Sequence, residues 1–368
     1  MQTSSSTCKT LAILCAPFLF RSIALREADS ERQYRLAENA RELGVFVHKL
    51  TFTLARGSTD DEIFRVYYML AQMPNVRTIY VYHEREDLSS HTAFLSVFDN
   101  FSHLESITLL EKHYNPAYNY LPYRYVEVSD TFFHQFLHNA VDVHGHRLKH
   151  LSLSTLLPLN EDLYIKIRDF TPNLQSIALS GNIDVELRDQ FSEPVLWASG
   201  RTGSLKNINL HNCAGVHASN FTQNVLLGAY GSHLRLIRLV ACGYSQTDIP
   251  SVPAASTPAQ ARADYLHLDH MSGWELEALS RIPVRDLTLT RLLPDDILQL
   301  PALLVSGFAG MRSMSMNPKM GVPEAWEKIS KASGDAYKEI QERCAQRKIK
   351  MGFDAFAWPN ACNAHVHI

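Results

Sequence analysis

One short phrase returns ten times along the chain: apolar, two residues, apolar, one residue, apolar. It first reads Val47-His-Lys-Leu50-Thr-Phe52, then Val76…Ile79…Val81, Leu104…Ile107…Leu109, Leu148…Leu151…Leu153 and Leu174…Ile177…Leu179. It continues as Leu205…Ile208…Leu210, Leu234…Ile237…Leu239, Ala263…Leu266…Leu268, Val284…Leu287…Leu289 and Met311…Met314…Met316. Each phrase ends in the period-2 alternation of a short strand with one buried face. A strand this short cannot bury that face alone. The chain must therefore stack its repeated units so that each covers the next.

Successive middle positions, from Leu50 to Met314, lie 29, 28, 44, 26, 31, 29, 29, 21 and 27 residues apart. A single such hexapeptide would be worthless, because short apolar runs are common in α/β proteins. Ten at a near-constant period match the L-x-x-L-x-L core of the leucine-rich repeat, whose period is roughly 20–29 residues. Helical patterns lie between the phrases. Residues 60–72 place Ile63, Tyr67, Leu70 and Ala71 on one face, opened by a Thr59/Glu62 capping box and stopped at Met73-Pro74. Phe133, Phe136, Leu137 and Ala140 form another apolar face, and Ser272/Glu275 a second capping box before Leu276 and Leu279. Parallel strands need such crossovers. The expected fold is an α/β solenoid of about ten irregular strand–helix repeats, a horseshoe with parallel strands on its concave face.

Alternation also assigns faces. Asn207 and Asn209, between Leu205, Ile208 and Leu210, should face solvent on the concave side. Thr78 and Tyr80, Ser106 and Thr108, His150 and Ser152, Arg238, Tyr265 and His267, and Ser313 and Ser315 hold equivalent places. Most are expected to be an ordinary solvated sheet face. A bound target would use the aromatic and arginine side chains among them and their neighbours, because these dominate binding hot spots. Tyr80, Tyr82, Arg238, Tyr265 and His267 are the expected target contacts, each removable without opening the core. The long gap of 44 residues carries a competing patch, with Tyr114, Tyr118, Tyr120, Tyr123 and Tyr125 in one short run. Residues 243–263, rich in Pro, Ala, Ser and Thr, read as a surface loop. After the tenth phrase, Pro323 opens a helix that Ser333-Gly334 could interrupt. Residues 349–353 then alternate like a last strand, and together they would cap the stack.

Bulk properties exclude several classes. Net charge is −3 with no block of like charges, which argues against nucleic acid as a partner. No apolar stretch approaches the roughly 18 residues needed to span a bilayer. The six cysteines include no C-x-x-C pair and suggest a reducing compartment, cytoplasmic or nuclear. Secretion is the competing reading. Leu11 to Phe20 has the length of a signal-peptide apolar region, and Asn100-Phe-Ser102 and Asn220-Phe-Thr222 are sequons. Against it, Lys9 is the single preceding positive charge, Pro17 interrupts the stretch, and Arg21 follows without a small-residue cleavage site. Histidine groups such as His144-Gly-His146, His267-Leu-Asp-His270 and His365-Val-His367 fit no recognised metal spacing. No nucleotide, dinucleotide or hydrolase motif occurs, so neither catalysis nor a cofactor is expected.

Residues 8–25 read as a short apolar helix, Leu11 to Cys15, broken at Pro17 and followed by an extended apolar turn. The run Cys8-Lys-Thr-Leu11 then Pro17-Phe-Leu19-Phe20-Arg-Ser-Ile23 resembles the second half of an F-box. Joined to irregular leucine-rich repeats, the chain resembles the F-box/leucine-rich-repeat proteins abundant in fungi. In that family the box binds the Skp-type adaptor of a cullin-RING (SCF) ubiquitin ligase, and the repeats hold the target protein. The resemblance implies adaptor contacts from Cys8, Leu11, Leu14, Cys15, Pro17, Leu19 and Phe20. A full F-box is longer and starts with a helix after a Leu-Pro motif, which Met1 to Thr7 do not supply, so adaptor binding by residues 1–368 is expected to be weak or absent. The implied organisation is a partial box over 1–28, a repeat array over 29–320 and a cap over 321–368.

Overall fold

The computed structural model describes residues 14–25, 41–54, 68–83, 99–111, 132–154, 161–180, 205–211, 234–240, 262–269, 276–277, 279–292, 294–318 and 323–352. The chain divides into two compact units, Met1–Phe191 with Val195–Leu205, and Ser192–Pro194 with Lys206–Ile368. Both boundaries expected from the sequence, at 28 and 320, lie outside the described residues, as do residues 114–125.

The first unit holds β1 (Ser22–Leu25), β2 (Lys49–Leu54), β3 (Thr78–His83), β4 (Ser106–Glu111), β5 (His150–Ser154) and β6 (Ser176–Ser180), with helices α1 (Phe132–His144) and α2 (Glu161–Phe170). The second holds β7 (Asn207–His211), β8 (Leu236–Val240), β9 (Ala263–Asp269), β10 (Val284–Leu292), β11 (Ser313–Pro318) and β12 (Lys350–Gly352), with α3 (Pro294–Ser306) and α4 (Pro323–Gln346). Within each unit the strands pair in chain order and every pair is parallel. This is an α/β leucine-rich-repeat solenoid.

The ten phrases form β2 to β11, and their middle residues sit in register. Leu50 pairs with Ile79, Ile79 with Ile107, Ile107 with Leu151 and Leu151 with Ile177. In the second unit Ile208, Ile237, Leu266, Leu287 and Met314 do the same. All ten are at most 2% exposed. Of the helical positions that periodicity marks, Leu70, Phe136, Leu137, Ala140, Leu276 and Leu279 are buried and Ala71 is half-buried, while Ile63, Tyr67 and both capping boxes lie outside the described residues.

Neighbouring repeats are fastened by recurring backbone devices. Gly44 and Gly145 each open a 3-10 turn (Gly44–Phe46, Gly145–Arg147) that leads into a strand. A Cβ on Gly44 would lie 2.2 Å from the Gln72 carbonyl oxygen, and one on Gly145 2.4 Å from that of Phe170. Only a hydrogen fits where the turn meets the end of the next helix. The Pro-Asn pairs 74–75 and 172–173 answer from the next repeat. The Asn75 amide donates to the Val45 carbonyl and the Asn173 amide to that of His146, both at 2.7 Å.

Three expectations change. The N-terminal helix is not broken at Pro17: residues 14–19 are helical, and the Phe20 amide donates to the Ala16 carbonyl at 3.0 Å. The apolar turn after it is β1, a strand that carries no full phrase yet pairs Ile23 with Leu50. Ser333-Gly334 does not interrupt α4, which runs unbroken to Gln346. Just beyond, the Arg347 guanidinium donates to the carbonyls of Leu304, Gly307 and Phe308 at 2.7, 3.0 and 3.0 Å. These carbonyls lie in the last turn of α3 and just beyond it, where a cation is a favourable donor. The terminal module is thereby tied to the last full repeat.

Candidate recognition surface

The strand positions facing away from the core differ sharply between the units. In the first, one row across β2 to β5 is uncharged, formed by Thr51, Tyr80, Thr108 and Ser152. Part of this face is dry, contrary to the solvated face expected from alternation. Tyr80 is 5% exposed, and Ser106 and Thr108 are buried as well. The Lys49 ammonium lies over the Tyr80 ring, 4.6 Å from its centroid, a cation–π arrangement. Burial, then the neighbouring Tyr82, pushes the Tyr80 phenol above its ordinary pKa. Tyr80 is therefore a packed residue, and truncating it would open a void. Tyr82 is half-buried and keeps an accessible surface.

In the second unit the same positions carry charge. Asn209, Arg238 and His267 are register neighbours on β7, β8 and β9, and His211, Val240, Asp269 and Thr290 form the next row. The Arg238 Nε donates to His267 Nδ1 at 3.2 Å. An arginine N–H can only donate, so Nδ1 must be the accepting nitrogen and Nε2 carries the proton. Nε2 then donates to Thr290 Oγ1 at 2.9 Å, whose hydroxyl donates to Asp269 Oδ1. Tyr265 meets the His267 ring edge-on, with centroids 6.4 Å apart.

Asp269 is closed off by Arg291. The arginine Nε reaches both carboxylate oxygens at 2.9 and 2.8 Å, and Nη2 bonds Oδ2 as well. Arg291 is an extra residue in β10: the β10–β11 register shifts between Thr290 and Leu292, and its φ is +51°. This left-handed bulge lets Thr290 and Arg291 reach one carboxylate from consecutive positions. Burial alone would push Asp269 up, but the hydrogen bonds from Arg291 and Thr290 and the Arg291 charge outweigh it and hold the carboxyl below its usual range.

Burial first, then the charges of Arg238 and Arg291 against the opposing pull of Asp269, hold His211 and His267 down to about 4. Both are neutral at physiological pH. The ordinary value is 6.5, so the unfolded chain takes up protons first as pH falls. The stabilisation is complete above about pH 6.5 and is lost progressively toward pH 4. Thermal melts should show stability falling between about pH 7 and pH 5 by about 2 kcal/mol for each of the two histidines. His267→Gln should flatten the fall. A wild-type melting temperature that stays level over this range would contradict the neutral histidine assignment.

Of the five residues expected at a target surface, Arg238, Tyr265 and His267 come together here, Tyr82 stands on the other unit, and Tyr80 is removed by burial. Sequence reasoning missed Asp269, Thr290, Arg291 and His211. Asp269 ends its strand beyond the phrase, and nothing local marks the bulge that brings Arg291 to it. Among the described residues no group of three or more His, Cys, Asp or Glu side chains is placed to hold a metal ion.

Of the seven residues expected at an adaptor surface, Cys8 and Leu11 lie outside the described residues. Leu14, Pro17 and Leu19 are exposed, and Cys15 and Phe20 are half-buried. Phe18, which sequence reasoning passed over, is the most exposed large apolar side chain among the described residues at 80%, with Leu19 at 69% and Leu14 at 64%. Ala16 and Leu25 anchor the segment to the core. Phe18 and Leu19 border a cleft of about 770 Å³ lined also by Arg21, Ser22, His48, Lys49, Arg77 and Thr78. Among the described residues no helix is long and apolar enough to cross a membrane.

No protein-family model matches the chain, and no curated protein matches it. Among solved structures the chain is similar to the Rad7 and Elc1 complex in yeast, with 13% identity, 85% of this chain and 78% of that chain covered, and a TM-score of 0.40. It is also similar to LegL7, a leucine-rich repeat-containing protein from Legionella pneumophila, with 12% identity, 83% of this chain and 94% of that chain covered, and a TM-score of 0.42.

Proposed function

We propose that this chain is the target-holding subunit of an SCF-type ubiquitin ligase. It is non-enzymatic. The segment around residues 14–20 docks on the Skp-type adaptor, and the strand face of the repeats holds the target protein. Its contribution is effective concentration: a target held near the ligase is modified without this chain making or breaking a bond. The observation that carries the reading is the exposure of Leu14, Phe18 and Leu19 within one six-residue helical stretch. Three large apolar side chains so close together in water call for a covering partner. On the target side, Tyr82, Arg238, Tyr265 and His267 offer the aromatic and guanidinium groups that anchor interfaces.

The test is a titration of purified Skp-type adaptor against the full chain and against the Leu14→Asp/Leu19→Asp variant. Both side chains are exposed, so the variant should melt within about 1 kcal/mol of the parent. Because the first half of the box has no match in residues 1–7, the expected result is only weak binding by the parent, which the variant loses at least tenfold. No binding by the parent, with cellular targets still captured through the repeats, would point instead to a stand-alone interaction scaffold.

A further inference from the structure

The first variable residue of each phrase lies at the N-terminal edge of the sheet, just before β7, β8 and β11 and as the second residue of β9 and β10. In the second unit these residues are Lys206, Arg235, Asp264, Arg285 and Arg312, and all five are exposed. They are register neighbours, each one step before the pairs Asn207–Leu236, Leu236–Tyr265, Tyr265–Asp286 and Asp286–Ser313. The backbone fixes the row. The Lys206 carbonyl accepts the amides of Arg235 and Leu236, and the Arg235 carbonyl those of Asp264 and Tyr265. The Arg285 carbonyl accepts the Arg312 amide, and the Arg312 carbonyl that of Lys350, itself exposed.

Four cations in a row of five, with a fifth beside it, is unexpected in a chain of net charge −3. The row is not uniform. Arg285 is spoken for: its Nε donates to Asp286 Oδ2 at 2.8 Å, and Nη1 lies 3.7 Å from Asp264 Oδ1. Lys206, Arg235, Arg312 and Lys350 form no ion pair among the described residues. Arg235 is steadied by a 3.0 Å bond from Nη1 to the Leu234 carbonyl. The edge thus presents two cationic ends around a neutralised centre. With strands about 4.8 Å apart, Arg235 and Arg312 are three intervals, or about 14 Å, from each other.

We infer that this edge binds an extended acidic peptide segment of a partner protein, with two clusters of carboxylates about four residues apart. Four residues of extended chain span about 13 Å, which matches the gap. A nucleic-acid strand fits less well, because its evenly spaced phosphates would place negative charge against Asp264 and Asp286. The surface lies in the second unit and uses none of the residues on which the ligase proposal rests.

The probe is the labelled peptide Asp-Asp-Gly-Ser-Gly-Asp-Asp, with Asn-Asn-Gly-Ser-Gly-Asn-Asn as its uncharged counterpart, titrated against the full chain. The acidic peptide should bind, weaken as salt is raised, and lose at least tenfold in affinity with Lys206→Glu/Arg312→Glu. Lys206→Gln/Arg312→Gln should lose less, and both variants should keep the parent melting temperature. Leu14→Asp/Leu19→Asp should bind the peptide as the parent does, even if adaptor binding is never found. Equal binding of the uncharged peptide, unchanged affinity in the charge-reversed variant, or tighter binding of a single-stranded oligonucleotide would overturn the inference.

Discussion

Ile208→Asp should unfold the second unit or cost it at least about 4 kcal/mol, a larger loss than that expected from any exposed position of the same strand. Ile208 is the middle residue of β7, fully buried, and in register with Ile237 and, through it, Leu266. An aspartate there has two poor choices. It stays ionised in an apolar layer with no partner, or it takes a proton and still leaves polar oxygens unsatisfied. A solenoid gives no relief, because each repeat is covered only by its neighbours, and the damage passes along the ladder. Urea denaturation with a circular-dichroism readout measures the loss. Ile208→Val, which removes one methylene, should cost only about 1 kcal/mol. A soluble Ile208→Asp protein with an unchanged midpoint would be incompatible with the stacked array.

The second large effect is expected at Asp269. Its side chain is 6% exposed, and Arg291, at 37%, is its charged partner. Asp269→Asn should cost about 3 kcal/mol, because it leaves the Arg291 guanidinium without its anion in a partly buried site near Arg238. Arg291→Ala should cost nearly as much, stranding the carboxylate. Arg291→Gly should be milder than Arg291→Ala, since glycine adopts φ +51° without the roughly 1 kcal/mol penalty of a side chain in the left-handed region. In a double-mutant cycle the pair should show a coupling of at least about 1 kcal/mol. Additive single effects would mean the two groups stabilise the fold independently, and the bulge would then have no role in holding the carboxylate.

The two sites differ in how they arise from the chain. Ile208 belongs to a phrase that states its own environment: three apolar residues at fixed spacing specify a strand, the face it buries and the neighbour that must cover it. The same logic located nine other strands. It also located the helical faces at Leu70, Phe136 and Leu276, because a 3.6-residue period is as local as a 2-residue one. The exposed N-terminal stretch was legible too, through apolar residues that match no repeat.

Tertiary structure decided the rest. Alternation places Tyr80 and Thr108 opposite the core, but whether that side is wet depends on what neighbouring strands lay across it, and Lys49 reaches over the Tyr80 ring from β2. Asp269 and Arg291 are 22 residues apart, and only a parallel pairing with one residue too many brings them together. Lys206, Arg235 and Arg312 are solitary charges along the chain and become one row when the repeats stack in register. Local periodicity encodes which face of an element is buried. It does not encode which side chains of successive repeats become neighbours, because that is set by strand register, and register is fixed only when the whole ladder of buried residues packs.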